Sequence, residues 1–188
     1  MEYLALNNGV RMPLVGFGTW TLRGETGKRC ILDALETGYR LLDTAQMYEN
    51  EDIVGAAVRE SGLARHEIFL TTKLFEPSAS YENAKHDIEK SLSALGTDYI
   101  DLLLLHWSFA NYYAAWRALE KLYAEGKVRA IGVSDFEPDR LLDLIAYNKV
   151  VPAVNQIETN LYCQRVSERI WMDKSRVAHM AYAPLGRG

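Results

Sequence analysis

Cysteine is scarce in this sequence: the 188 residues include only two, Cys30 and Cys163, which lie far apart along the chain. Because they lack the close spacing of metal ligands, both are predicted to be ordinary thiols in a reducing compartment. Long apolar runs are lacking too. None approaches the roughly 20 residues of a membrane span, and no basic-then-apolar signal pattern opens the chain. We therefore expect a cytoplasmic protein.

Excess charge of one sign is also lacking. The net charge is −4 with 24% of residues charged, which gives no reason to expect nucleic acid or a membrane as partner. His66, His86 and His179 have no metal-ligand spacing, so no metal site is predicted. With 48% hydrophobic residues and no linker or shift in composition, residues 1–188 are predicted to form one domain around one sizeable core.

What the sequence does contain is a repeated pattern of strands and helices. The strand-like runs are Leu14–Phe17, Leu41–Asp43, Ile68–Lys73, Ile100–His106, Val128–Ser134, Ala153–Gln156 and Val177–Tyr182. Segments with helical spacing lie between them, and four of these end in glycine, at Gly38, Gly62, Gly96 and Gly126. Such repetition predicts right-handed βαβ units around a parallel sheet that is buried on both faces.

The first residues differ from this pattern. Tyr3–Leu6 and Val10–Met12 are short runs on either side of Asn7-Asn8-Gly9. Asn-Gly between two such runs predicts a β-hairpin with a type I′ turn, in which both central residues have positive φ. We interpret this hairpin as a lid appended to the main fold.

Parallel strands form either an open sheet or a closed barrel. An open sheet that binds a dinucleotide normally carries Gly-x-Gly-x-x-Gly after its first strand. Here Gly16-Phe17-Gly18 is followed by no third glycine at the right place. The predicted fold is therefore α/β, a (β/α)8 TIM-type barrel with an N-terminal hairpin, of which the sequence provides about seven of eight strands.

Polar residues end the predicted strands, where a barrel carries its chemistry. They are Asp43, Lys73, His106, Ser134, Gln156 and Tyr182. Any one of them is explained as well by a strand end that reaches solvent. All six together favour a common site, because closure of the barrel would point them into one mouth.

Three of the polar residues near these ends predict a proton donor. A carboxylate such as Asp43 is costly to bury without a partner, and Lys73 ends the next strand, within reach of an ion pair. Tyr48 follows Asp43 on the loop. The neighbouring ammonium is expected to lower the phenol pKa from its ordinary value near 10, which would tune Tyr48 as a general acid.

The remaining strand ends suit carbonyl reduction. A neutral His106 would donate a hydrogen bond to a substrate oxygen and orient it. No side chain supplies a hydride, so such a reaction requires a nicotinamide cofactor. Ser134 and Gln156 are suitable partners for its carboxamide, and Tyr182 offers a ring face for stacking.

Several stretches, in order along the chain, resemble the aldo-keto reductase family. They are Leu42–Ala45, Tyr48–Glu51, Thr71–Leu74, Asp101–Trp107, Gly126–Ser134, Val154–Gln156 and Ala181–Gly186. The resemblance implies a monomeric barrel that reduces small carbonyl compounds with NADPH, with NADH as the alternative cofactor. It implies a catalytic tetrad of Tyr48, Asp43, Lys73 and His106. It implies cofactor contacts by Gly18, Thr19, Trp20, Asp43, Ser134, Asp135, Gln156, Tyr182, Leu185 and Gly186, and a substrate pocket of Trp20, Tyr48, His106 and Trp107.

The sequence departs from the family pattern in two respects. The family usually has Asn in place of Asp135, Pro in place of Ser108 and Ser in place of Ala183. The chain is also shorter than the ~250 residues typical of such barrels, so the eighth strand and the motif for the adenosine 2′-phosphate are expected to be missing. A truncated gene product, a second chain that completes the barrel and a longer natural chain all fit this pattern. The unpaired edges would favour self-association.

Two other functions remain open from the sequence. A non-catalytic cofactor-binding or interaction module derived from the same fold agrees with the missing motif and the exposed edges. A phosphate-binding barrel isomerase agrees loosely with Lys73 and His106, but it leaves Tyr48 without a role.

Overall fold

The computed structural model describes residues 1–74, 81–109 and 111–186. Its strands are β1 Tyr3–Ala5, β2 Arg11–Pro13, β3 Gly16–Gly18, β4 Leu41–Asp43, β5 Phe69–Leu74, β6 Leu102–Leu105, β7 Ile131–Ser134, β8 Val154–Glu158 and β9 Ala178–Tyr182. Its α-helices are α1 Gly24–Glu36, α2 Glu51–Glu60, α3 Tyr81–Leu95, α4 Tyr112–Ala124, α5 Pro138–Tyr147 and α6 Val166–Lys174. No helix within these residues is long and apolar enough to cross a membrane.

Seven of the strands form one parallel sheet in the order of the chain, from β3 to β9. Gln156 on β8 donates from Nε2 to Oδ2 of Asp43 on β4 at 2.9 Å. In a flat sheet these two strands would lie almost 20 Å apart, since neighbouring strands are spaced by about 4.8 Å. The sheet therefore curls into a nearly closed barrel, which confirms the predicted fold class.

Buried side chains fall into two clusters, one on each side of the curled sheet. The inner cluster includes Leu41, Phe69, Leu102, Leu104 and Val154. The outer cluster, between strands and helices, includes Leu42, Leu70 and Leu103. Alternate residues of a strand point to opposite faces, so a strand buried on both faces has to be apolar at successive positions. This is why the strands read as continuous runs in the sequence.

The glycines predicted to end helices adopt the conformation that the prediction requires. Gly38, Gly62, Gly96 and Gly126 have φ of 105°, 71°, 65° and 77°, the left-handed region in which an L side chain is strained. Each glycine follows a helix or its C-cap and turns the chain back toward the sheet. The repeated helix stop seen in the sequence is thus a property of the backbone.

The N-terminal hairpin forms, but with a different turn and place from those predicted. Within the turn Asn7–Gly9, only Gly9 has a positive φ, of 84°, whereas a type I′ turn also requires a positive φ at Asn8. Instead, the Gly9 N–H donates to Leu6 O and the Leu6 N–H to Val10 O, which makes a longer, bulged loop. Leu6 and Met12 are buried against the inner cluster, so the hairpin closes the floor of the barrel.

The barrel is open along one side. In the part of the chain that the structure describes, β3 and β9 are the two ends of the sheet, and no strand is paired between them. Leu14 and Val15, just before β3, are 53% and 58% exposed. A cavity of about 970 Å³ extends along this side from the hairpin to the carboxyl ends of the strands.

Candidate active site

Lys73 lies at the centre of the polar cluster. The side chain belongs to the last residue but one of β5 and is 1% exposed. Its ammonium has three protons to donate, and the structure gives it three acceptors. They are Asp43 Oδ1 at 2.6 Å, the Thr44 carbonyl oxygen at 3.0 Å and the Tyr48 hydroxyl at 3.2 Å. The predicted ion pair with Asp43 is therefore present, and the same ammonium donates a hydrogen bond to Tyr48.

The environment keeps Lys73 charged although it is buried. Burial by itself lowers the pKa of Lys73, but the Asp43 carboxylate and the Tyr48 oxygen outweigh it and raise the pKa above its ordinary value. Gln156 holds the second carboxylate oxygen of Asp43. Both members of the Lys73–Asp43 pair therefore have further hydrogen bonds. A buried ion pair needs such bonds if its attraction is to offset the free energy of desolvation.

Tyr48 is a protonated phenol beside this pair. Burial is the largest influence on its pKa and raises it; Lys73 acts in the opposite direction, and the charge of Asp43 adds to the rise. The expectation that Lys73 gives Tyr48 a lowered pKa is therefore wrong. Because an ammonium only donates, the phenol oxygen accepts from Lys73, and the phenol proton stays available to an acceptor in the cavity.

Asn50 fixes the loop that carries Tyr48, and sequence reasoning had assigned it no role. The side chain is fully buried, accepts from Thr44 Oγ1 at 2.7 Å and donates to the Thr19 carbonyl oxygen at 2.7 Å. The carbonyl oxygen of the same Thr44 accepts from Lys73. One amide therefore joins the loops after β3 and β4 beneath the lysine. Its only signal in the sequence was its place in the Tyr48–Glu51 stretch.

His106 lies opposite Tyr48 as a neutral imidazole. Burial first, and the charge of Lys73 second, lower its pKa to about 4. The ring meets Tyr48 edge-on at 5.9 Å between centroids and stacks on Trp107 at 4.6 Å. Its Nδ1 is buried and has no hydrogen-bond partner among the described residues. A buried polar atom without a partner in a cavity wall fits a site that receives a polar ligand.

The depressed pKa of His106 predicts a pH-dependent stability. The unfolded chain titrates this histidine near pH 6.5 and the folded chain near pH 4, so the unfolded state binds more protons in between. Acidification through this window should therefore destabilise the fold. We expect His106→Gln to reduce the loss of unfolding free energy between pH 7 and pH 4.5 by about 2 kcal/mol, measured by urea denaturation. The same loss in both proteins would contradict this expectation, and the exposed His66→Gln is the control.

Most of the residues predicted to contact the cofactor and substrate line one cavity. Gly18, Trp20, Asp43, Tyr48, His106, Trp107, Ser134, Asp135, Gln156 and Tyr182 all do so. Thr19 is fully buried behind them, and its hydroxyl donates to the Asp43 carbonyl oxygen at 3.0 Å. Leu185 and Gly186 lie beyond β9, outside the cavity lining, and Leu185 is 90% exposed. The binding roles of all these residues stay predictions.

The hydrogen bonds at the mouth of the barrel determine which polar atoms there are still able to bind a ligand. Ser134 donates its hydroxyl to the Gln156 carbonyl oxygen at 3.1 Å, so it has lone pairs left to accept. The Gln156 Nε2 donates to Asp43 and also contacts Met180 Sδ at 3.2 Å, which leaves its side-chain oxygen. Met180 had no predicted role. It shares a face of β9 with Tyr182, two residues on, and this alternation was its signal in the sequence.

Asp135 occupies the position directly after β7, with φ of 53°. Aspartate and asparagine adopt this left-handed conformation more readily than most residues. Its N–H donates to the Gln156 carbonyl oxygen at 2.9 Å, and the Tyr182 hydroxyl donates to its Oδ2 at 3.4 Å. Burial raises the pKa of Asp135, against the opposing effects of Tyr182 and Arg165.

Comparison with known proteins agrees with this geometry. The sequence profile of the Aldo/keto reductase family matches residues 14–188. The chain belongs to this family. In this aldo-keto reductase the polar cluster around Lys73 lies at the carboxyl ends of the barrel strands, and its catalytic role stays a prediction. Among the described residues, no group of three or more His, Cys, Asp or Glu side chains is arranged to hold a metal ion.

Three relatives show how far the likeness extends. Morphine 6-dehydrogenase of Pseudomonas putida is 44% identical over 96% of this chain and 62% of its own length. Glyoxal reductase of Bacillus subtilis is 40% identical over 100% of this chain and 68% of its own length. The crystal structure of Bombyx mori aldo-keto reductase in complex with NADP has a TM-score of 0.91 and 30% identity, covering 97% of this chain and 66% of that one. The chain thus spans about two thirds of the length of these relatives.

Proposed function

We propose that this chain reduces an aldehyde or ketone to an alcohol with NADPH, and that Tyr48 donates the proton. The observation that carries the proposal is the single ammonium of Lys73, which bonds both the Asp43 carboxylate and the Tyr48 phenol at a cavity wall. A protonated phenol beside a fixed positive charge suits the protonation of an oxygen that gains negative charge.

The side chains divide this work between them. Tyr48 transfers its proton to the substrate oxygen, and Lys73 stabilises the phenolate that remains. Asp43 keeps Lys73 charged and in place. His106 is neutral, so it donates a hydrogen bond from one ring nitrogen and orients the substrate oxygen without competing for the proton. Bound NADPH would supply the hydride.

The residues of the mouth suit the nicotinamide end of the cofactor. The carboxamide of the nicotinamide would hydrogen-bond to Ser134, Asp135 and Gln156 through polar atoms that are not used in the hydrogen bonds described above. Tyr182 would stack on the nicotinamide ring. Gly18, Thr19, Trp20, Leu185 and Gly186 would lie along the rest of the cofactor. The NADP complex of the Bombyx mori relative supports NADPH, with NADH as the alternative.

The substrate is proposed to be a small carbonyl compound. Trp20 and Trp107 line the cavity, Trp107 stacks on His106, and both would cover the apolar part of the substrate. One relative is a glyoxal reductase and another a morphine 6-dehydrogenase, which supports both the carbonyl chemistry and its breadth. The cytoplasmic location predicted from the sequence stays a prediction.

Two measurements on the purified chain test this proposal. We expect NADPH to raise the melting temperature, because a ligand that binds only the folded state stabilises it. We also expect glyoxal, used as a test aldehyde, to cause oxidation of NADPH. Neither effect should occur with heat-denatured protein. No shift up to millimolar NADPH, together with no oxidation, would contradict the proposal.

The open side of the barrel favours a second candidate, a non-catalytic cofactor-binding or interaction module. Within the described residues, the cavity extends along the side of the barrel between β3 and β9. The exposed Leu14 and Val15 would favour association through this edge, whereas the family resemblance favours a monomer. A defined oligomer that binds NADPH without oxidising it would support the second candidate.

A further inference from the structure

We propose that Asp135 makes this site bind the oxidised nicotinamide cofactor more tightly, relative to the reduced one, than a site with asparagine at this position would. The inference rests on the proposed function, because it concerns the cofactor that the function requires. It deepens that function by assigning the balance between the two redox forms to one side chain.

The structure fixes this carboxylate at the mouth of the cavity. The left-handed backbone at Asp135 and the bond from its N–H to the Gln156 carbonyl oxygen set the direction of the side chain. The Tyr182 hydroxyl donates to one carboxylate oxygen. The side chain therefore lies between the proposed carboxamide partner on β8 and the proposed stacking ring on β9.

The other charges near the mouth do not offset the negative charge of Asp135. Lys73 is balanced by Asp43 at 2.6 Å, and His106 is neutral. Arg165 is engaged by Glu137 at 3.3 Å and Glu168 at 2.9 Å. The charge of Asp135 also acts on Tyr48, since it contributes to raising the pKa of that phenol. An ionised Asp135 thus leaves the cavity with a negative field.

The two redox forms respond differently to this field. The oxidised nicotinamide ring carries a positive charge and the reduced ring carries none, so a carboxylate at the mouth stabilises only the oxidised ring. Because solvent at the mouth screens part of this attraction, we expect roughly a tenfold difference in affinity. Asparagine would bind both forms without this bias, since its amide is neutral.

The preference should depend on pH because Asp135 titrates. Burial raises its pKa above the usual range of aspartate, with Glu158 and Glu137 acting in the same direction and Tyr182 and Arg165 against it. Below this pKa the side chain is neutral and the preference is lost; above it the charge is present and the preference appears. The relative affinity for the oxidised form should therefore rise with pH.

The test compares Asp135→Asn with Asp139→Asn in the whole chain. Asp139 is exposed on α5, so its replacement removes the same charge away from the cavity. The dissociation constants of NADP⁺ and NADPH would be measured by quenching of tryptophan fluorescence, since Trp20 and Trp107 line the cavity. We expect the ratio Kd(NADP⁺)/Kd(NADPH) to rise about tenfold in Asp135→Asn and to stay unchanged in Asp139→Asn.

Each outcome of this test has a definite meaning. A ratio that is the same in the unaltered chain and in Asp135→Asn overturns the inference alone, provided that both cofactors bind. If the unaltered chain binds neither cofactor, the proposed function fails and the inference fails with it. The unaltered chain gives a second measurement, independent of any substitution. Its ratio should fall as the pH rises from below to above the pKa of Asp135, and a ratio that stays constant across that titration overturns the inference too.

Discussion

Replacement of Tyr48 by phenylalanine is expected to lower kcat for carbonyl reduction by about 10²- to 10⁴-fold, the usual contribution of a general acid. The change removes one oxygen atom and the proton that we propose it transfers. The ring remains, so its edge contact with His106 and its position near the Lys73 ammonium, 4.8 Å from the ring centroid, are kept. The loss should therefore arise from the missing proton and not from a changed fold.

This prediction is checked by steady-state kinetics together with cofactor binding. The dissociation constant of NADPH should change little, because the phenol oxygen contacts the substrate in the proposed mechanism. Tyr147→Phe is the matched control, since Tyr147 is 74% exposed at the end of α5. Activity that survives Tyr48→Phe unchanged would show that another group donates the proton. An unaltered melting temperature would confirm that the variant is folded.

The positions of the candidate site residues could be predicted because they follow a rule of topology. Parallel strands in a barrel bring their carboxyl ends together, so Asp43, Lys73 and Gln156 were expected to meet once the strands were recognised. In the structure Asp43 bonds both of the others. This prediction did not depend on the exact ends of the strands. In the structure β6 ends at Leu105, one residue before His106, and β8 continues two residues past Gln156.

Properties that depend on burial could not be read from the sequence. Lys73 does act on Tyr48 in the expected direction, but the net pKa depends on how much protein surrounds the phenol, and burial is the larger effect. The role of Asn50 is hidden for a related reason. Its partners, Thr44 and the carbonyl oxygen of Thr19, come together only when the loops after two strands are packed. A pattern within one segment shows neither effect.

Asp101→Ala is expected to lower the free energy of unfolding by about 3–5 kcal/mol, the cost of breaking a buried charge network by removing one partner. Asp101 is 1% exposed and directly precedes β6, at the opposite end of the barrel from Lys73. Its carboxylate accepts from Arg65 Nη2 at 2.8 Å, Arg129 Nη1 at 2.7 Å and the Leu70 N–H at 3.0 Å. The variant leaves two guanidinium groups facing each other and one buried N–H without its acceptor.

The size of this loss separates the buried network from an ordinary surface ion pair. Urea denaturation should show little change for Asp98→Ala, because Asp98 is exposed on the preceding loop, and surface substitutions usually change stability by only about 0.5 kcal/mol. Removal of Arg129 should cost less than removal of Asp101, since Arg129 is 46% exposed and Arg65 would still neutralise the carboxylate. A loss below about 1 kcal/mol in Asp101→Ala would place the stabilisation of the barrel floor in its apolar packing instead.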